Sequence, residues 1–553
     1  MRNKLAVCLA ACILSASAIS LAQIPVHAED ASGYGWHHGE GHTSTPIKHL
    51  VVIFQENVSF DHYFGTYPNA ANAPGEPTFY ARPFTPRVNG LTTALLTNNP
   101  NKNNTANGTG AINPFRLSRA QSATADQDHD YGPEQQAFNG GAMDLFPAFT
   151  GSGETLPGAP ADENGNGQVM GYYDGNTVTA MWNYAQWFAM SDNSYNTTFG
   201  PSTPGAINLV SGQTNGVTQT LNGTANEIAD GQGGLTLISD ADPIGDVCSS
   251  PTGNQVQLGG KNIGDLLNNA NITWGFFEGG FDLGQVNANG TTGCKRSTTS
   301  AVTQVKKADY IPHHQPFQYY TSTANPTHVR PTSVALIGHQ GDAANHQYDL
   351  NDFYSAVEAG NFPAVSFLKA PGYQDGHAGY SDPLDEQQFI VHVINFLQQQ
   401  RDWRDTAVVI AYDDSDGWYD HQAAPRANAS ATTEDGLDGQ GVCNARGTLP
   451  GVNSNGQPVQ GRCGYGPRLP LLVISPWARS NHVDHTVTDQ SSITRFIEDN
   501  WLHRERIGGG SFDAMAGSLD HLFDFYQPFP QHHKLILDEQ TGQPVKQPHS
   551  PRG

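Results

Sequence analysis

The sequence predicts an α/β protein built on a large, mainly parallel sheet with helices on both faces and long loop insertions. Three observations predict it. The runs Leu50–Phe54, Ala364–Leu368, Ala407–Tyr412 and Leu471–Ile474 are apolar without polar alternation, as expected of strands covered on both faces. Between the second and third lies a helical pattern, Leu384 to Trp403, with Phe389, Val393, Ile394 and Leu397 at helical spacing. Between these periodic segments, residues 88–125, 212–300 and 422–462 are rich in Gly, Asn, Ser and Thr and read as excursions over the strand ends rather than core.

Two more helices are expected, Asn176–Met190 and one starting at Asp489, with Asp489 as N-cap and Ile493, Phe496 and Ile497 on one side. Strand–helix–strand alternation favours parallel pairing. Chemistry-bearing residues are scattered from residue 56 to beyond residue 414, so one large domain over 46–530 is expected. Residues 29–45 read as a flexible leader and 531–553 as a polar C-terminal tail.

Residues 1–28 have the form of a Sec-type signal peptide: Arg2 and Lys4, an apolar stretch from Leu5 to Leu21, then Val26-His27-Ala28. Export to the periplasm or the medium is the expectation. No later stretch approaches the ~20 apolar residues of a membrane helix, so no stable membrane insertion is expected. The formal net charge of −24 opposes binding to nucleic acid or anionic lipid unless a local basic patch intervenes, and no basic run stands out. Past residue 28 the cysteines are Cys248, Cys294, Cys443 and Cys463, which suit two disulfides in an oxidising compartment. Three connectivities are open, and proximity favours Cys248–Cys294 and Cys443–Cys463.

Glu56 and Asn57 follow the first strand run directly, and Asp413 and Asp414 follow the third. Ligands gather at the carboxyl ends of strands in open α/β sheets, so both pairs would meet in one crevice. Three carboxylates and an amide crowded together would be driven to protonate unless a cation joined them. An all-oxygen set suits one hard divalent ion, Ca²⁺, Mg²⁺ or Mn²⁺. Ser202, in Gly200-Pro201-Ser202-Thr203-Pro204-Gly205, is placed at a helix start, where it is either a plain N-cap or a nucleophile activated by a metal. Thr203 is the rival hydroxyl. His129, His346 and His377 are the candidate phosphate contacts and proton donors in a chain poor in Lys and Arg.

Several segments together resemble the bacterial phospholipase C-type phosphoesterases of the alkaline-phosphatase-like fold group. They are His49–Gly65, Gly200–Gly205, Tyr412–His421, Gly466–Pro476 and Asp489–Trp501. The resemblance implies a phosphoserine mechanism with one metal held by Glu56, Asn57, Asp413, Asp414 and Ser202. It implies that His129, His346 and His377 meet the phosphate or the leaving group. Ser202 in place of threonine, Asp413-Asp414 in place of an Asp-Glu pair, and the early end of the chain resemble the acid phosphatase branch. The expected activity is hydrolysis of small phosphate monoesters. The alternative is a phospholipase C-type phosphodiesterase that releases phosphorylated headgroups. An alternative from another class is an inactive secreted binding protein on the same scaffold.

Overall fold

A computed structural model describes residues 43–153, 165–445, 456–527, 529–531 and 534–545. The expected signal peptide and residues 29–42 of the leader lie outside the described residues. From residue 41 onward the chain groups as one compact unit.

Its centre is a nine-stranded sheet: β1 (His49–Gln55), β2 (Ala189–Tyr195), β3 (Trp274–Glu278), β4 (Gln347–Asp349), β5 (Val365–Lys369), β6 (Thr406–Tyr412), β7 (Arg468–Ile474), β8 (His482–Asp484) and β9 (Thr488–Asp489). The order is β4-β3-β5-β1-β6-β7-β2-β8, with β9 also on β2. All neighbours pair in parallel except β7, which is antiparallel to β6 and β2. Every residue of β5, β6 and β7 is buried, which is why their sequences carry no polar alternation.

The helices that matter for the site are α1 (Tyr131–Phe138), α2 (Thr179–Trp187), α3 (Ser202–Ser211), α4 (Leu350–Glu358), α5 (Pro383–Gln399) and α6 (Ser491–Trp501). Helix α4 carries the chain from β4 to β5, and α5 from β5 to β6. Asp382 caps α5, accepting from Leu384 N at 2.8 Å ahead of Pro383 in the first turn. Phe389, Val393, Ile394 and Leu397 are buried on the apolar stripe of α5 as their spacing predicts. The helix ends at Gln399, and Arg401–Asp405 is a 3₁₀ turn rather than its continuation. Helices α3 and α6 pack on each other.

Four sequence expectations need correction. The segment expected as a helix to Met190 ends at Trp187, because residues from Ala189 are drawn into the sheet as β2. The stretch 212–300 is not all excursion: it contributes β3, whose Trp274, Phe276 and Phe277 are core residues. Gln490, not Asp489, is the N-cap position of α6, although the Asp489 carboxylate still accepts from Ser491 N at 2.7 Å. Residues 534–545 are not a free tail. Leu535 and Leu537 join the core, and Asn395 and Gln398 of α5 hydrogen-bond their backbone.

The disulfides are Cys248–Cys294 and Cys443–Cys463, as proximity favoured. Among the described residues no helix is long and apolar enough to cross a membrane.

Candidate active site

The parallel strands deliver polar residues to one end of the sheet as soon as their apolar runs stop. β1 and β6 are in register, Gln55 opposite Tyr412, so Glu56-Asn57 and Asp413-Asp414 emerge side by side. Lys369, the last residue of β5, emerges on the other flank of β1 and grips Glu56 Oε1. The Asn57 N–H donates to Asp413 Oδ1 at 3.0 Å, and its side-chain amide donates to Asp416 Oδ1 at 3.1 Å. Asn57 sits at φ 63°, a left-handed conformation that Asn adopts more readily than most residues.

Ser202 is the first residue of α3, and Pro201 occupies the cap position with no side-chain cap bond. The plain N-cap reading of Ser202 therefore fails. Its hydroxyl lies 3.0 Å from Glu56 Oε2 and 3.3 Å from Asp414 Oδ2, and the residue is 1 % exposed. Thr203, the rival, has its N–H on Asp240 Oδ1 at 2.8 Å and makes no hydrogen bond to the carboxylates that Ser202 meets. Gly205 explains how α3 comes so near. A methyl group there would stand 2.1 Å from the Asp413 carbonyl oxygen, so only glycine lets the helix lie against that backbone.

Three buried carboxylates with one lysine make a strained group. Burial and then Asp413 push the Glu56 carboxyl up to about 8, against the pull of Lys369. Burial and then Asp414 push Asp413 up to about 6, and burial pushes Asp414 up to about 7 although His129 opposes it. Asn57 Oδ1 and Asp413 Oδ2 are buried with no hydrogen-bond partner among the described residues. Two orphaned oxygens, Glu56 Oε2 and the Ser202 hydroxyl form an all-oxygen donor set with surplus negative charge. That chemistry fits a hard divalent cation. Glu56 can offer only Oε2, since Lys369 holds the other oxygen.

Histidines ring this centre. His129 Nδ1 lies 2.8 Å from the Gln127 carbonyl oxygen and 3.4 Å from Asp416. Burial works against its charged form, but Asp414, Asp126 and Asp416 outweigh it and hold the imidazole well above its ordinary value. His377, half-buried, stacks on Tyr380 at 4.3 Å and meets His129 edge-on at 6.1 Å. Burial draws it down to about 4 despite Asp126.

His346 is elsewhere, a correction to the expected set. It precedes β4, so it sits at the amino end of the strands, stacked on Trp274 at 4.4 Å with Nδ1 on the Trp274 carbonyl at 2.9 Å. β4 is three strands from β1, about 14 Å sideways at the usual strand spacing.

The residues that stand where His346 was expected are His313 and His314, in a 3₁₀ turn after Pro312. His314 Nδ1 lies 3.4 Å from Glu56 Oε1 and 3.9 Å from Asp375 Oδ2, and burial and then Lys369 keep it well below its usual range. His313 lies 3.9 Å from Asp240 and 3.6 Å from Asp242. Burial opposes its charge, but Asp240 and Asp242 raise it. Lys307 rests its ammonium 3.7 Å from the centroid of the Tyr380 ring and interacts with Asp375, Glu56, Asp126 and Asp240. Glu134 of α1 accepts from Ser415 at 2.7 Å and from Gly200 N at 3.3 Å, bracing the turn after Asp414 and the turn before Ser202.

Lys369 was legible by the rule that found the acids, as the polar residue closing an apolar strand run. The adjacent His313-His314 pair was visible as a doublet but had no neighbouring strand to place it. Elsewhere two other groups of acids and histidines converge, and each is already closed. Asp61, Asp420 and His421 surround the Arg468 guanidinium, and Asp246 is held by Tyr310, Gln318 and His328 beside the bridged Cys248.

Non-hemolytic phospholipase C of Pseudomonas aeruginosa is 25% identical over 497 residues, covering 88% of this chain and 59% of its own. Phospholipase C A of Mycobacterium tuberculosis is 24% identical over 88% of this chain and 78% of its own. Non-specific phospholipase C6 of Arabidopsis thaliana is 22% identical over 80% of this chain and 64% of its own. The chain thus spans about three fifths of the length of the first and third of these. A solved protein of the alkaline phosphatase superfamily from Vibrio parahaemolyticus aligns over 74% of this chain and 77% of its own, at 11% identity and a TM-score of 0.25, too slight a likeness to argue from. A family model, by contrast, matches residues 47–502, from the start of β1 past the end of α6 and so through every strand and helix of the site, and the chain belongs to the Phosphoesterase family.

Proposed function

We propose that the chain hydrolyses phosphoric esters with Ser202 as nucleophile, and that its substrates are diesters of the phospholipid class. The observation that carries the first part is the Ser202 hydroxyl, presented at the start of α3 within 3.0 Å of Glu56 and 3.3 Å of Asp414. Ser202 Oγ forms a bond to phosphorus as the ester P–O bond breaks, and the serine proton passes to one of those carboxylates. The departing oxygen takes a proton from the surrounding histidines, with His129 the one held in its charged form. Water then cleaves the phosphoserine and frees Ser202. A divalent cation held by Glu56, Asn57, Asp413, Asp414 and Ser202 would balance the carboxylates and ease loss of the serine proton.

The diester reading rests on the relatives, whose names are those of phospholipases C. A second reading, phosphate monoesters, is favoured by charge. A monoester dianion carries one more negative charge than a diester, and Lys307, His129 and His313 face the site as cations. Ser202 and Asp413-Asp414 are also the residues in which the sequence resembles the acid phosphatase branch.

Rates of p-nitrophenol release from p-nitrophenyl phosphate and p-nitrophenyl phosphorylcholine decide between the two. Acid-quenched enzyme examined by mass spectrometry should carry its phosphoryl group on Ser202. A label on Thr203, or full turnover in Ser202→Ala, would refute the mechanism.

A further inference from the structure

The net charge of −24 is not spread evenly. From Pro77 to Ala125 there are five basic residues, Arg82, Arg87, Lys102, Arg116 and Arg119, and no acidic one. Arg116 and Arg119 are occupied by Glu76, Asp174 and backbone carbonyls. Arg87 is exposed and makes no hydrogen bond or ion pair among the described residues. Lys102 is exposed as well.

The same segment carries the two aromatic rings that, among the described residues before residue 500, stand farthest into solvent. Tyr80 is 73 % exposed and Phe84 99 %. Phe84 lies between Pro83 and Pro86 at φ 65°, a conformation unfavourable for a bulky side chain, so the loop presents the ring at an energetic cost rather than folding it away. The base of the loop is firm. Arg82 donates to the Gln186 carbonyl at 2.9 Å and lies 4.3 Å over Trp187, and Asn89 N donates to Asp192 at 2.7 Å. Behind it is a groove of about 610 Å³ lined by Val88, Leu91 and Leu96, with Arg87 at its edge. The Thr66 hydroxyl in that groove is buried without a partner among the described residues.

We propose that this loop and groove, residues 77–102, form a docking surface for an anionic phospholipid bilayer. Aromatic rings held out of the protein favour the boundary between headgroups and acyl chains, and adjacent arginines and lysines favour lipid phosphates. Arg87, exposed and unpaired among the described residues, can meet a lipid phosphate beside the Phe84 ring. A chain of net charge −24 would otherwise be repelled from such a membrane, so the segment without acidic residues also favours one orientation. The anchor lies at the end of α2 and the start of β2, whereas Ser202 follows the carboxyl end of β2. The surface therefore retains the protein at a membrane independently of catalysis, and it does not rest on the proposed reaction.

Sedimentation with phosphatidylcholine vesicles containing phosphatidylglycerol, without added divalent cation, tests the proposal. The wild-type chain should bind these vesicles, bind pure phosphatidylcholine weakly, and release with salt. Phe84→Ser and Arg87→Gln should each lower binding by about tenfold, with thermal melting and turnover of a soluble p-nitrophenyl ester unchanged. Wild-type protein that stays in solution with anionic vesicles overturns the proposal. So does Phe84→Ser protein that binds as wild type, or self-association in sedimentation velocity that Phe84→Ser abolishes, which would assign the patch to a second copy of this chain.

Discussion

One histidine at each end of the central sheet shows how the same residue type can be driven in opposite ways. At the amino end His346 is 2 % exposed, stacked on Trp274 and free of any ion pair among the described residues, and burial draws it down to about 4. At the carboxyl end burial acts on His129 as well, but Asp414, Asp126 and Asp416 reverse the result and keep it charged. Burial alone makes a histidine a neutral aromatic spacer. Uncompensated carboxylates make it a cation and a proton source. Parallel strands concentrate those carboxylates at one end, because eight of the nine strands run out there together and the loops that follow carry the polar residues.

The largest effect expected from breaking this contrast is at Asp413. Asp413→Ala removes a carboxylate and the acceptor that orients Asn57, and should lower turnover by about three orders of magnitude or more. If the proposed divalent cation is held there, elemental analysis should find it in the wild type and not in the variant. Wild-type turnover with stoichiometric metal would remove Asp413 from the site.

Next is the approach of α3. Gly205→Ala forces the helix off the Asp413 carbonyl, and a displacement of about 1 Å at Ser202 should cost about 10²-fold in turnover. The effect should fall on kcat more than on KM, with the fold retained by circular dichroism. Unchanged kcat would mean that Ser202 has more latitude than the packing allows.

His129 and His346 form the direct comparison. His129→Ala should lower kcat/KM by about 10²-fold as a proton-transfer or phosphate-contact residue is lost. His346→Phe should leave it within about twofold, because the ring is replaced by another that can stack on Trp274. Equal losses would deny that the two ends differ in function.

The smallest effect is on stability. His346, with a folded value of about 4 against about 6.5 unfolded, takes up a proton less readily when folded. A depressed folded value gives stability that is fully present above about pH 6.5 and is lost as pH falls toward 4. The maximum loss is about 3 kcal/mol. Melting temperatures from pH 7.5 to 4.5 should fall less steeply in His346→Phe than in wild type. His62, buried against Trp418 and lowered to about 3, should behave in the same direction. Parallel curves for variant and wild type would show that His346 does not carry the acid sensitivity.

Much of this was legible in the sequence through one physical regularity. A strand covered on both faces must be apolar throughout, so its end is visible as the first polar residue, and those residues are Glu56, Asp413 and Lys369. Strands β2 and β3 escaped the same reading. Ala-Met-Ser-Asp-Asn-Ser-Tyr has no apolar run, and Trp-Gly-Phe-Phe-Glu is set in a Gly/Asn-rich stretch. Their strand character comes from pairing with β7, β8 and β9 and with β4 and β5.

The sequence by itself determined the layered α/β class, the apolar stripe of α5 and the two acidic pairs at strand ends. Each is local: it depends on residues within a few turns or on a strand's need to exclude water from both faces. Only the tertiary structure decided which histidines gather at the carboxyl end of the sheet, because His129, His314 and His377 come there from three separate segments while His346 lies at the amino end of β4. It also decided that the 534–545 segment packs on α5 and that Phe84 and Arg87 stand exposed on one loop. Contacts of that kind are set by how the chain crosses the sheet, and no periodicity along the sequence records it.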